Sequence, residues 1–191
     1  IINGGTIIMT SSVRNNKIQL VLFTGAFVNL SFMPAMATDY SPIDTASAIN
    51  LNNGDRVLYT NLANTTDVIG IKSTANTGSL TVNGKVDVNI TNGTKSIGIH
   101  LANSHQNDLG SSSSITVLGK KPIDTALIDT VSGIEVLGST TKLAANNLTI
   151  DATNTDATGG AVGIIARLGG TVTLTGDNNT ITVQGGSNAA I

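Results

Sequence analysis

A Gly-Ile step recurs four times in this chain and constrains its fold more than any other feature. It reads Val68-Ile69-Gly70-Ile71, Ser96-Ile97-Gly98-Ile99, Val131-Ser132-Gly133-Ile134 and Ala161-Val162-Gly163-Ile164. The glycines lie 28, 35 and 30 residues apart. Two further apolar stretches follow in fixed order. The first is Ser79-Leu80-Thr81-Val82, then Ser114-Ile115-Thr116-Val117, then Thr171-Val172-Thr173-Leu174. The second is Val86-Asp87-Val88-Asn89-Ile90, then Leu148-Thr149-Ile150-Asp151, then Thr180-Ile181-Thr182-Val183. The copies are imperfect: after Gly133 only Lys142-Leu143 is left for the middle strand, and Ala190, 27 residues after Gly163, opens a further turn.

Inside each stretch apolar residues alternate with Thr, Asp, Asn or Ser, so one set faces a core and the other faces water. Between them stand Asn83-Gly84, Asn92-Gly93, Gly159-Gly160, Gly169-Gly170 and Gly185-Gly186, residues that accept left-handed turns. Three strands in roughly 30 residues, without helical periodicity, predict stacked coils. The expectation is an all-β chain: a right-handed parallel β-helix of about four to five coils from about Ala48, behind an N-terminal signal helix or disordered leader. A hairpin competes locally, since Asn83-Gly84 between Leu80-Thr81-Val82 and Val86-Asp87-Val88 is also a hairpin signal. The fixed order of the three stretches favours the solenoid. Pro42-Ile43-Asp44-Thr45-Ala46 returns as Pro122-Ile123-Asp124-Thr125-Ala126, and nothing is built on that echo.

Composition agrees. Thr, Gly, Asn and Ser make up 72 of the 154 residues from Thr38 onward, where the only aromatics are Tyr40 and Tyr59. The core must therefore come from Val, Ile, Leu and Ala. The net charge is −2 with no basic patch, which argues against nucleic acid as a partner. The chain has no cysteine, which excludes a disulfide scaffold and a thiolate metal site.

The first residues read as an export signal. Met9 opens a short basic segment with Arg14 and Lys17; Ile18 to Met33 is uncharged and mostly apolar; Pro34-Ala35-Met36-Ala37 follows. Small residues at Ala35 and Ala37 predict cleavage before Thr38. The expected division is an upstream extension (1–8), a signal peptide (9–37) and a β-helix (38–191).

A signal peptide followed by a cysteine-free solenoid resembles the passenger domains of Gram-negative autotransporters, the pertactin-like and diffuse-adherence adhesins. The stretches Ala161 to Ile164 and Gly170 to Asn179 carry that likeness, and they are degenerate. The resemblance implies a cell-surface or secreted, adhesin-like protein. It implies an unknown host or cell-surface ligand and, in the full-length protein, a C-terminal outer-membrane β-barrel. No barrel follows here, so the chain is expected to be a fragment ending in mid-repeat.

Chemistry is sparse. His100, His105 and Asp108 lie close in sequence and could hold a metal, but a polar, solvated turn accounts for them equally well. The alternative reading is the N-terminal part of a carbohydrate-active β-helix enzyme, a polysaccharide lyase or hydrolase, which requires convergent carboxylates. Here the acidic residues are scattered; Asp87 and Asp151 could share one outward face. The Thr171, Thr173, Thr175 file suggests an ice-binding surface only weakly, because other coils vary at those positions. No catalytic, cofactor or metal residue is assigned. The longer turn Asn103 to Ser113 is the expected place for a binding loop.

Overall fold

The computed structural model describes residues 36–60, 67–74, 78–122 and 131–189. Ala37–Ile191 forms one compact unit, distinct from Ile1–Met36. Every described element is a strand, and every pairing between strands is parallel. No described helix is long and apolar enough to cross a membrane.

The strands form three faces. Face one stacks β1 (Asp39–Tyr40), β4 (Asp55–Thr60), β7 (Val86–Gly93), β10 (Ser114–Gly119), β13 (Thr149–Asn154) and β16 (Thr180–Gln184). Face two stacks β2 (Ile43–Thr45), β5 (Val68–Ser73), β8 (Ser96–Ala102), β11 (Val131–Leu137), β14 (Gly160–Arg167) and β17 (Ser187–Ala189). Face three stacks β3 (Ile49–Asn52), β6 (Leu80–Asn83), β9 (Gln106–Ser111), β12 (Lys142–Asn146) and β15 (Thr171–Thr175). The chain visits face one, two and three in turn, so each circuit adds one rung to all of them. The parallel β-solenoid is as the repeat predicts.

Registration puts like on like. Val57, Val88, Ile115, Ile150 and Ile181 form one inward file of face one. Ile43, Ile71, Ile99, Ile134 and Ile164 form another on face two. Each fully buried side chain of this size contributes about 1.5–3 kcal/mol. The glycines of the repeated step sit beside the isoleucine file for a steric reason. A Cβ on Gly70 would lie 2.7 Å from the Gly98 carbonyl oxygen and 2.9 Å from Val88 Cγ1. The bulky file of face one therefore presses against the bare backbone of face two.

The corner from face three to face one is polar but ordered. Gly54, Gly84, Gly110, Asn147 and Gly176 have positive φ there. Side chains bridge rungs across it: the Lys85 amide donates to Asn53 Oδ1 at 3.1 Å, and the Asn178 amide donates to Asn147 Oδ1 at 3.1 Å. The Val86 amide donates to Ser113 Oγ at 3.0 Å, and that of Leu148 to Asn179 Oδ1 at 2.9 Å.

The first rung is formed by β1, β2 and β3, inside the 38–191 bound and ahead of the recurring stretches that start near Ala48. Two sequence expectations are corrected. Ser114–Val117 does not belong with Ser79–Val82: β10 pairs with β7 and β13 on face one. The middle strand of that coil is β9, inside the stretch read as a loop from Asn103 to Ser113. The competing hairpin at Asn83-Gly84 gives way to the solenoid, as the order of the stretches favours, with β6 and β7 on different faces. Lys142-Leu143 does open the middle strand of its coil, as expected. Residues Ile123 to Ala126 of the echo, and Ala190, lie outside the described residues.

Candidate functional site

Face two carries a file of ionisable residues. Counting two residues on from each repeated glycine gives Lys72, His100, Glu135 and Ile165, and the register stacks them as neighbours with Asp44 at the head. Lys72 Nζ lies 2.8 Å from Asp44 Oδ2. His100 Nδ1 lies 2.9 Å from Glu135 Oε2, with the Glu135 side chain 3% exposed. The other carboxylate oxygen, Oε1, is buried without a hydrogen bond. The exposed Asp44–Lys72 pair contributes little. The buried pair is held in a less polar setting, where breaking one partner costs far more.

Beside this file, at the N-terminal end, a cleft of about 440 Å³ is lined by Pro42, Tyr59, Val68 and Ile69 together with Asp44, Lys72 and Asp67. Tyr59 stands in the inward file of face one, in register with Ile90, and packs against the core. Asp67 Oδ1 accepts the Lys95 amide at 3.1 Å.

The metal candidates are not brought together. His100 is on face two, whereas His105 and Asp108 are exposed at and on face three. His105 uses its carbonyl to accept the Lys142 amide at 2.9 Å, and Asp108 Oδ1 accepts the Gly110 amide at 2.7 Å. Among the described residues no group of three or more His, Cys, Asp or Glu side chains could hold a metal ion. The partner that sequence reasoning missed is Glu135. Its signal was available, because it follows Gly133 by the step at which His100 follows Gly98.

Asp87 and Asp151 do share the outward side of face one, but not as a pair. Asp87 stacks on Ser114, while Asp151 stacks on Thr116, one outward position along and two rungs from Asp87. At ~4.8 Å per rung and ~6.8 Å per outward step, their backbones stand about 12 Å apart, on different rungs and at different positions along the face. Each has a local task. Asp87 meets Lys85 Nζ at 3.2 Å and accepts from Ser114 Oγ at 2.8 Å; Asp151 accepts from Thr153 Oγ1 at 3.4 Å.

At the expected cleavage point, Ala35 lies outside the described residues, and Ala37 and Thr38 are exposed. Thr38 is bonded into the first rungs: its amide donates to Asp55 Oδ1 at 2.9 Å, and its carbonyl accepts the Arg56 amide at 2.9 Å. Arg56 grips Asp39 in a bidentate pair at 2.6 and 2.7 Å, which raises its pKa.

At the corner from face one to face two the strands are joined by residues 61–67, 94–95, 120–130, 155–159 and 185–186, of which 94–95, 155–159 and 185–186 lie wholly among the described residues. In the fourth, Asp156 Oδ1 accepts from the hydroxyl and amide of Thr158 at 2.7 and 3.0 Å, and both bonds hold its carboxyl below the usual range. The stretch Asn103 to Ser113, read as a loop, is largely strand β9.

No family model, no curated protein and no solved structure matches this chain.

Proposed function

We propose that the chain is an exported, surface-displayed or secreted passenger of the autotransporter kind, an adhesin-like interaction protein rather than an enzyme. The observation that supports this reading is the stack of parallel rungs on three faces formed by the described residues. A stack of this kind is a rigid spacer, and loops leaving it are placed to meet a partner. The basic, apolar and small-residue segments ahead of Thr38 supply the route out of the cell. The absence of cysteine suits passage through a pore, because no disulfide can close a loop beforehand.

Export is tested by fusing the chain ahead of an alkaline phosphatase that folds only in the periplasm of a Gram-negative host. The expected result is phosphatase activity and a mature N-terminus at Thr38; an inactive, uncleaved fusion overturns the reading. The adhesive part is tested separately with the secreted chain, by binding to host-cell surfaces and immobilised matrix proteins. Failure to bind any of them counts against it.

A further inference from the structure

At the entry to face one, Thr38, Asp55, Val86, Ser113, Leu148 and Asn179 stack as one file. Side-chain oxygens in this file cap backbone amides of the rung before. The Thr38 amide donates to Asp55 Oδ1 at 2.9 Å, the Val86 amide to Ser113 Oγ at 3.0 Å and the Leu148 amide to Asn179 Oδ1 at 2.9 Å. Ser113 and Asn179 are neutral acceptors. Asp55 is a carboxylate, and it is 1% exposed. Its other oxygen, Oδ2, accepts the Asn52 amide at 2.7 Å. Among the described residues no cation is paired with it, and the adjacent Arg56 is held by Asp39 at 2.6 and 2.7 Å. A buried carboxylate without a cation is costly, whereas a neutral oxygen caps an amide without that cost.

We infer that Asp55 is the receptor for an α-ammonium group on Thr38, created when the chain is cut before that residue. Hydrolysis of the Ala37–Thr38 peptide consumes one water, leaves a carboxylate on Ala37 and turns the Thr38 nitrogen from an amide into an ammonium group. That nitrogen already lies within hydrogen-bonding distance of Asp55 Oδ1, so the new charge appears against the buried carboxylate. The charged acceptor thus stands at the amide that this cut ionises. Ser113 and Asn179 serve peptides inside the chain, which stay neutral. The other charges beside the new terminus, Asp39 and Arg56, already neutralise each other. Trimming a chain ordinarily loosens the strand at its end; here it tightens the first rung. The inference rests on the export reading for the cut at Thr38, and on the geometry of the corner for what the cut does.

Ala37–Ile191 is a compact unit distinct from Ile1–Met36, so the chain beginning at Thr38 is the one to test. A fusion partner removed by a protease that cuts directly before Thr38 supplies the free terminus. The same chain carrying an Nα-acetyl group keeps the amide without the charge. Each is prepared as wild type and as Asp55→Asn, and unfolded in denaturant at about pH 6, below the ordinary range of an α-amine. In the wild type the free amine should raise the folding equilibrium constant about tenfold or more over the acetylated chain. In Asp55→Asn the two termini should agree within about twofold. A pH scan of the wild-type pair needs no substitution and decides the matter where Asp55→Asn does not fold. The ion pair holds the amine's proton more tightly in the folded chain, so its contribution is complete below about pH 8 and lost as pH rises through the folded value. An acetyl group that leaves the midpoint unmoved, a difference undiminished in Asp55→Asn, or one that persists unchanged to about pH 11 overturns the inference. Whether a cell cuts there is read separately, from the mature N-terminus in the export assay, so the two readings fail independently.

Discussion

The repeated glycines are fixed by what lies opposite them rather than by turn geometry. A Cβ on Gly98 would meet Ile115 Cγ2 and lie 2.6 Å from the Gly133 carbonyl oxygen, with no free space to move into. Gly98→Ala should therefore destabilise the fold by about 1–3 kcal/mol through overpacking, read as a lower denaturant midpoint at unchanged slope. The opposite outcome is expected at Leu168. It stands at φ 55 and is 81% exposed, in the stacked position that Asn103 (φ 55) and Gly138 (φ 98) occupy in earlier coils. Asn and Gly accept that conformation, whereas a bulky side chain costs about 1–2 kcal/mol. Leu168→Asn or Leu168→Gly should raise the melting temperature. Asp156 gives the pH signature. Its folded pKa is depressed, so its contribution is present above the ordinary carboxylate range and lost as pH falls through the folded value. Asp156→Asn should melt below wild type at pH 7, and the gap should close below about pH 4.

At the scale of elements, β9 shows where a sequence pattern misleads. Its first inward position is filled by Asn107, stacked in the file that otherwise holds Leu143 and Val172. Asn107 is 3% exposed; its Oδ1 accepts the Leu80 amide at 2.9 Å, and its Nδ2 donates to the Lys142 carbonyl at 3.0 Å and to Ser104 Oγ at 3.1 Å. One side chain thereby ties three successive rungs. Asn107→Leu matches the apolar file yet leaves buried backbone groups unpaired, and should cost about 1–3 kcal/mol, measured by chemical denaturation. A polar strand of this kind reads as a solvated turn. That lets Ser114–Val117 stand in for it, because Ser-Ile-Thr-Val and Ser-Leu-Thr-Val are the same pattern to a period-two reading. The glycine and isoleucine files and β7, β13 and β16 were legible because their residues repeat in kind as well as in period. The His100–Glu135 pair was legible only in part, since its members lie on neighbouring rungs and acquire their meaning from register.

For the whole molecule, unequal spacing and regular stacking have one explanation. The glycine interval of 35 residues is the one that contains the connection 120–130, while the strands either side stay in register. Length is absorbed between the strands, where connections from face one to face two run from two to eleven residues and those from face two to face three from three to six, and the files inside stay in register. The consequence concerns how such a molecule can change over generations. Segments gained or lost along those seams alter what the surface offers without asking any interior residue to move, so novelty and architecture are free to evolve apart.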